Sequence, residues 1–328
     1  MSLAMQKPKH NKFESESKDD NEAPDGDVAL MVGKGAINGE VKSFTTLNVK
    51  SPNGDVKSFT TFNVKTPNGD IIPVVKQNHV DEEHFRKVQK CLKFKQFVES
   101  LDTKVIEVSQ IMVRDIFMFG PNVGFILTDT KAKLRANGAK LSGVTFIRGK
   151  AVVSFLLLRS KQTGNLFIVL TDQFRVPTGA FRLEAVAGMC DEETNSKRVT
   201  KAETGEEVGI SVEEKNLHLL GDFYPSHGGC DELIDIYEGI VEMDQETIDS
   251  LNGSNKGFLL DDRRKIRARV LPFTVENILA TRDSKAIVGC MYLLHRYGLL
   301  PKGKIHIELP DGNVPERVNG DEQLALLA

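Results

Sequence analysis

The sequence predicts an α+β protein with an N-terminal extension rich in β-strand patterns. Apolar strand-like segments occur in pairs joined by short turn motifs, and do not alternate one by one with helices. Two amphipathic helical patterns, near residues 90 and 290, stand apart from those pairs. With 328 residues, 40% of them apolar, the chain can build a sizeable core and about two domains.

Charge and cysteine usage narrow the class of protein. Because 43 basic and 46 acidic residues give a formal charge of −3, a nucleic-acid partner is not expected. No apolar run approaches the length of a membrane span, and the first residues lack the apolar core of a signal peptide. We therefore expect a cytoplasmic protein with no membrane partner. Four cysteines without a C-x-x-C pair also favour a reducing compartment: Cys91, Cys190, Cys230 and Cys290.

Residues 1–75 are interpreted as a disordered or repeat-containing extension. Residues 1–28 are polar and carry too few apolar side chains to offset chain entropy. The segment "VKSFTTLNVKSPNGD" (41–55) is then repeated as "VKSFTTFNVKTPNGD" (56–70), with 13 of 15 positions identical. Each copy alternates like a strand and ends in a Pro-Asn-Gly turn signal. The copies are either paired β-strands or a duplicated flexible segment.

The segment 80–145 is predicted to be an N-terminal helix and β subdomain. Apolar residues at helical spacing predict one helix over 81–101. From 104 to 127 the pattern alternates as in strands, with "GPNVG" as the turn between them.

The segment 146–300 is predicted to be a second domain, followed by a loose tail over 301–328. Two apolar strands, at 150–160 and 165–176, are joined by "KQTGN", a hairpin signal. Strand patterns follow at 218–224 and 233–241. The last element is a helix that begins at 284 and is stopped at Gly298.

Three glutamates crowd one stretch of the second domain. In "GMCDEETNSKRVTKAETGEEVGI" (188–210), a helix would place Glu203, Glu206 and Glu207 on one face. Like charges at these spacings cost about 0.2–0.5 kcal/mol per pair. A divalent cation such as Mg²⁺ relieves that repulsion and shares its oxygen ligands with substrate phosphates. A solvated acidic helix end is the alternative.

The same stretch resembles the Nudix box, G-x5-E-x7-R-E-U-x-E-E-x-G-U, where U is aliphatic. Gly188 fills the first position, and Gly209 with Ile210 closes the box. The three glutamates occupy the clustered acidic positions without a gap. Three flanking segments are similar to those of the sugar-nucleotide branch of that family: "RLEAVAG" (182–188), "TDQFRVPTG" (171–179) and "PSHGGCDE" (225–232).

The resemblance implies an α/β/α sandwich with a mixed sheet, so that 146–300 would be the Nudix domain. It implies hydrolysis of a nucleoside diphosphate sugar, of the ADP-ribose, ADP-glucose or UDP-glucose class, to a nucleoside monophosphate and a sugar phosphate. Mg²⁺ is the implied cofactor, with Mn²⁺ as the alternative. A homodimer formed through the N-terminal strands is implied in the same way.

The resemblance also implies roles for individual residues. Glu203 and Glu207 would hold the metal, assisted by Glu206 as a catalytic carboxylate and by the Ala187 carbonyl. The substrate would be bound by Arg175, Glu184 and the loop glycines Gly228 and Gly229. Glu232 or Asp231 would orient or deprotonate the attacking water.

Each of these substrate-side residues also has a plainer interpretation. Arg175 is either a phosphate clamp or a surface strand residue. Asp231 and Glu232 are either catalytic or part of an ordinary acidic turn. Glu184 ends an apolar strand, where an unpaired carboxylate is costly, which favours a role at the edge of the metal or substrate site.

The box departs from the family pattern at positions that support the metal ligands. Thr194 stands where the box has its first Glu, and Ala202 stands where it has Arg. Thr204 replaces an aliphatic residue, and Val186 replaces the approach-strand Pro. Outer support of this kind is worth about 10–100-fold in affinity or activity. A catalytically impaired Nudix-fold protein with a binding or structural role is therefore the alternative function.

Overall fold

Two β-sheets with helices packed against them make up the part of the chain that the computed structural model describes, residues 44–50, 56–254 and 266–301. The expected disorder of 1–28 and the tail from residue 302 onward lie outside these residues.

The first sheet is mostly antiparallel, with β1 to β6 in chain order and β7 paired to β5. Helices α1 (Glu82–Lys90) and α2 (Leu92–Ser100) pack against it. The expected hairpin over 104–127 is confirmed as β4 and β5. The strands are β1 (Thr45–Lys50), β2 (Val56–Lys65), β3 (Ile71–Lys76), β4 (Ile106–Phe119), β5 (Asn122–Leu134), β6 (Lys140–Leu141) and β7 (Val144–Ile147).

The repeat has the paired-strand structure. β1 from the first copy pairs antiparallel with β2 from the second. The Pro-Asn-Gly of the second copy turns the chain into β3, with Gly69 at a φ of 91°, where an L side chain would be strained. Because β3 then pairs parallel to β4, residues on both sides of position 80 share one sheet. The division of the chain near residues 75–80 stays a prediction.

The helical pattern over 81–101 is two helices in the structure. Cys91 has an extended backbone, with φ −63° and ψ 128°, and separates α1 from α2. Asp81 begins α1 by accepting the His84 N–H at 2.9 Å. The apolar spacing runs on through the break, so periodicity alone could not reveal it. Phe85 and Phe94, one from each helix, still enter the same core.

The second sheet carries the candidate site, in the order β11-β12-β8-β10-β9-β13. It is mixed because β12 runs parallel to β8 while the other pairings are antiparallel. The strand pairs expected from the sequence are confirmed. The strands are β8 (Ala151–Ser160), β9 (Leu166–Arg175), β10 (Ala180–Met189), β11 (His218–Phe223), β12 (Ile234–Met243) and β13 (Arg267–Pro272).

Helices lie on both faces of this sheet, as expected for an α/β/α sandwich. Successive residues of β8 point to opposite faces: Ser154 meets α3 (Ser196–Val208), and Phe155 lies under Gly289 of α6 (Ser284–Arg296). No helix of the described residues is long and apolar enough to cross a membrane. The remaining helices are α4 (Gln245–Leu251), α5 (Val275–Thr281) and two 3-10 turns, Val176–Thr178 and Glu214–Asn216.

The burial of Phe62 allows a direct test of whether the repeat contributes to the hydrophobic core. Phe62 of β2 is 1% exposed and touches the rings of Phe85 and Phe94 at centroid distances of 5.1 and 6.0 Å. Phe62→Ala should cost about 3–5 kcal/mol of unfolding free energy, measured by denaturant titration. The exposed neighbour Asn63, changed to Ala, should cost less than about 0.5 kcal/mol. Equal, small effects would show that the repeat does not contribute to the core.

Candidate metal and phosphate site

Helix α3 is fixed at both ends by its own sequence. Asn195 accepts the Arg198 N–H at 3.2 Å and so begins the helix. Gly209 ends it in the left-handed conformation, with a φ of 71°, and the next residue, Ile210, is buried. The loop over 190–195 therefore connects β10 to α3. After the helix, Gly209 turns the chain back toward the core.

Gly188 lets α3 approach β10 closely. A Cβ atom at this position would overlap the Cγ, Cδ and Oε1 atoms of Glu203. The absence of a side chain therefore makes the space in which the Glu203 carboxylate lies. This explains physically why a glycine opens the motif fifteen residues before the first of the three glutamates.

Glu207 lies against the same strand. Its Oε2 accepts the Ala187 N–H at 3.4 Å, a long hydrogen bond. Burial raises the pKa of Glu207 to about 8, and the neighbouring charge of Glu203 adds to the shift. Two partly buried carboxylates with this mutual repulsion fit the oxygen-ligand chemistry of Mg²⁺ or Mn²⁺.

The third glutamate is placed differently. Glu206 is exposed and lines a shallow surface cavity on the outer side of α3, together with Ala202 and Gly205. Within the described ranges, no three His, Cys, Asp or Glu side chains gather closely enough to hold a metal ion. The structure thus brings Glu203 and Glu207 together but not Glu206. The metal-ligand roles of Glu206 and of the Ala187 carbonyl stay predictions.

Arg175 and Glu184 form a bidentate ion pair. The guanidinium Nε and Nη2 atoms donate to the two Glu184 oxygens at 2.8 and 2.9 Å. Burial acts to raise the pKa of Glu184, but the Arg175 hydrogen bond and the Lys285 charge outweigh it and lower the pKa. Glu184 lies on β10, as does Ala187, whose N–H binds Glu207, so the ion pair and the acidic pair share one strand. Arg175 is thus neither an isolated surface residue nor free of a partner.

Two further residues contact the Arg175–Glu184 ion pair or its strand, and the sequence did not predict either of them. Lys285 donates to Glu184 at 3.2 Å and to Asp283 at 2.9 Å, and Asp283 accepts the Ala185 N–H at 2.9 Å. Asp-Ser before an apolar helix pattern is a capping signal, and Asp283 does cap α6. That signal indicates a helix start, but nothing in it indicates a partner 98–101 residues away.

The glycine-rich loop and its acidic residues hold a neighbouring segment. Gly229 O accepts the Phe146 N–H at 2.8 Å, while Gly228 lies beside it in the turn. Asp231 accepts the N–H groups of Arg148 and Gly149 at 2.6 and 3.1 Å.

Glu232 pairs with the Arg148 Nε at 2.7 Å. These contacts show a structural role for Asp231 and Glu232, and their catalytic role stays a prediction.

Of the positions that depart from the box, two are exposed and one has a partner in the sheet. Thr194 and Ala202 are both exposed. Thr204 is fully buried, and its hydroxyl lies 2.6 Å from the Thr200 carbonyl and 2.8 Å from the Ser154 hydroxyl. The polar replacement of an aliphatic residue is therefore satisfied by β8.

The first turn of α3 has a second tie to the sheet. Asp235 of β12 accepts the Ser196 hydroxyl at 2.6 Å and the Lys150 ammonium at 3.3 Å. Glu193, one position before Thr194, pairs with Arg198 at 3.1 Å on the surface. Helix α3 is thus attached to the sheet without the Glu and Arg of the box.

Comparison with known proteins decides the family. The chain is 31% identical over 210 residues to Nudix hydrolase 14, chloroplastic, of Arabidopsis thaliana, which covers 60% of this chain and 67% of that protein. The chain belongs to the Nudix hydrolase family. No family model matches this Nudix hydrolase. It also has a likeness to a solved structure described as an ADP compounds hydrolase, at a TM-score of 0.43 and 12% identity, covering 60% of this chain and 97% of that one.

The space that Gly188 leaves for the Glu203 carboxylate predicts that adding a side chain at position 188 weakens metal binding. Gly188→Ala would push the Glu203 carboxylate off β10, so we expect Mg²⁺ or Mn²⁺ affinity to fall at least about tenfold. Gly205→Ala on the outer side of α3 meets no atom within 4 Å and should stabilise the helix by about 1 kcal/mol. Titration of Mn²⁺ followed by electron paramagnetic resonance compares the two. Unchanged affinity in Gly188→Ala would contradict a metal role for Glu203.

The repulsion between Glu203 and Glu207 predicts that the stability of the metal-free protein changes with pH. Since the folded pKa of Glu207 is about 8 against a usual 4.5, its charge destabilises the metal-free fold increasingly as pH rises between these values. At pH 8.5 without metal, the free energy of unfolding of Glu207→Gln should exceed that of the parent by at least about 1 kcal/mol. At pH 4.5 the two free energies of unfolding should be equal. Thermal melts with and without Mg²⁺ measure this, and Mg²⁺ should stabilise the parent more than the variant.

The exposed Glu206→Gln is the matched control for this experiment and should behave like the parent at both pH values. A Glu207→Gln protein that is less stable than the parent at pH 8.5 would contradict the account of the pair.

Proposed function

We propose that this Nudix hydrolase cleaves the diphosphate of a nucleoside diphosphate sugar, of the ADP-ribose, ADP-glucose or UDP-glucose class. Its products would be a nucleoside monophosphate and a sugar phosphate. The observation that carries the proposal is the arrangement on β10, where Glu184 binds the Arg175 guanidinium and the N–H of Ala187 binds the carboxylate of Glu207. A carboxylate pair beside an arginine suits a diphosphate that arrives with a divalent cation.

In this proposal Glu203 and Glu207 hold Mg²⁺, or alternatively Mn²⁺. A bound cation supplies charge neutralisation and polarisation of a phosphoryl oxygen. Gly188 leaves room for the Glu203 carboxylate, and the Ala187 N–H orients that of Glu207. Arg175 binds substrate phosphate oxygens with its forked donors.

The remaining roles rest on the family resemblance. Glu232 or Asp231 orients the attacking water while also holding the segment around Arg148. Glu206 assists from the exposed side of α3, where substrate could bring a cation within reach. We further propose a homodimer formed through the N-terminal strands and a cytoplasmic location.

A specific observation favours a second candidate, a Nudix-fold protein that binds sugar nucleotides without cleaving them. The positions of the missing Glu and Arg, Thr194 and Ala202, are solvent-exposed and carry no equivalent ion pair with each other. The hydrogen bonds of Thr204 and Ser196 attach α3 to the sheet but do not touch the carboxylates of Glu203 or Glu207 directly. The two candidates differ only in turnover.

The deciding experiment incubates the purified protein and Mg²⁺ with ADP-ribose, ADP-glucose and UDP-glucose, and separates the products by chromatography. We expect a nucleoside monophosphate from at least one of them. Glu207→Gln should lower the rate at least about 100-fold, because its carboxylate would hold the cation. Binding by calorimetry without product, over long incubation, would favour the second candidate. Turnover unchanged in Glu207→Gln would remove this site from the reaction.

A further inference from the structure

A buried lysine of helix α2 reaches the loop that precedes α3. The Lys93 side chain is 3% exposed. Its ammonium donates to the Gly124 carbonyl at 2.7 Å and to the Asp191 carboxylate at 3.2 Å. A buried ammonium costs free energy unless hydrogen bonds and an opposite charge compensate it. Asp191 is the carboxylate that forms an ion pair with Lys93 within the described residues.

Asp191 lies in the loop over 190–195, which joins β10 to α3. Its φ is 37°, a left-handed value that few residues other than glycine adopt, so the backbone is strained there. Its side chain is 63% exposed and is held from the protein side by the ammonium. Among the hydrogen bonds and ion pairs of the described residues, this is the one side-chain contact that ties residues 191–195 to an element other than α3.

The stem of Lys93 lies against a second segment of the candidate site. Gly149 has a φ of 82°, and a Cβ atom there would lie 2.8 Å from the Lys93 Cβ. The N–H groups of Gly149 and Arg148 donate to Asp231. One side chain of α2 therefore contacts both the loop before α3 and the segment that Asp231 holds.

The placement of the loop matters because the acidic pair lies between the two elements that it joins. Glu203 and Glu207 are on α3, and they meet β10 at Gly188 and at the Ala187 N–H. A shift of α3 relative to β10 would change the separation and direction of both carboxylates.

The support that the box normally provides is missing from this same stretch. Thr194, where the box has its first Glu, lies in the loop, and Ala202, where the box has Arg, follows on α3. Ser196 and Thr204 tie α3 to β12 and β8, but neither of them holds the loop to another element.

We propose that Lys93 positions the metal site by holding the loop between β10 and α3, and so takes over the support that Thr194 and Ala202 do not supply. The proposal rests on the proposed function, because the site in question is the carboxylate pair on α3. Lys93 is a positioning residue in it, since it acts through Asp191. Helix α2, which packs against the first sheet, thereby supports the site on the second.

The test measures Mn²⁺ affinity by electron paramagnetic resonance, without substrate. Lys93→Met keeps the stem of the side chain and removes its charge, and it should weaken Mn²⁺ binding about tenfold. Lys95→Met, at an exposed position of the same helix, should match the parent. Asp191→Asn should also weaken binding, and Lys93→Met/Asp191→Asn should bind Mn²⁺ no more weakly than Lys93→Met, because the two residues share one interaction.

A rescue separates positioning from a merely structural role. Adding Thr194→Glu and Ala202→Arg to Lys93→Met supplies the ion pair of the box, and this should recover most of the parent's Mn²⁺ affinity. Hydrogen exchange of the metal-free protein, followed by mass spectrometry, should be faster over 190–195 in Lys93→Met than in the parent or in Lys95→Met.

Parent-like Mn²⁺ affinity in Lys93→Met, a failed rescue or unchanged exchange over 190–195 would each overturn the proposal. If Lys93→Met does not fold, Asp191→Asn decides in its place, since it alters an exposed side chain, and parent-like affinity there would overturn the proposal equally. A parent that bound no Mn²⁺ would overturn the proposed metal site together with this role. A parent that binds Mn²⁺, with variants that bind it as tightly, would overturn the role of Lys93 alone.

Discussion

The close packing of helix α3 against strand β10 is the constraint on which the site depends. It is possible because Gly188 has no side chain where the Glu203 carboxylate lies. The same approach places Glu207 on the Ala187 N–H and takes both carboxylates partly out of water. A helix that stood farther from the strand would leave two ordinary solvated glutamates. The free energy that the pair costs without a cation would be the physical basis of the proposed affinity for one.

That packing is achieved without the Glu and Arg that the family motif contains. Thr204 is fully buried on α3 and meets Ser154 of β8, so the central turn of the helix is tied to the middle of the sheet. Ser196 at the first turn is tied to Asp235 of β12. These neutral and singly charged hydrogen bonds place the backbone of the helix. They differ from a guanidinium in that they do not hold a carboxylate directly.

The sequence was informative wherever the relevant interaction is local. Paired apolar strands, their turn residues and the capped helix α6 follow from periodicity and turn chemistry, and the structure has all of them. Spacing also predicted that Glu203, Glu206 and Glu207 share a helix face. It could not give the rotation of α3 about its axis relative to β10, which turns two of them inward and leaves Glu206 exposed. The break at Cys91 was hidden for a similar reason, since both helices continue one apolar pattern.

The sequence could not predict ion pairs between residues that are far apart along the chain. Lys285 and Glu184 are 101 positions apart, and only the insertion of the α6 N-terminus beside β10 brings them together. Glu203 and Glu207 form the proposed divalent-cation site. Crystals of the parent protein grown with Mn²⁺, examined by anomalous diffraction near the manganese edge, test it most directly. We predict an anomalous peak in contact with the carboxylates of Glu203 and Glu207. A well-ordered site with no peak there, or a peak only at other residues, would contradict the account.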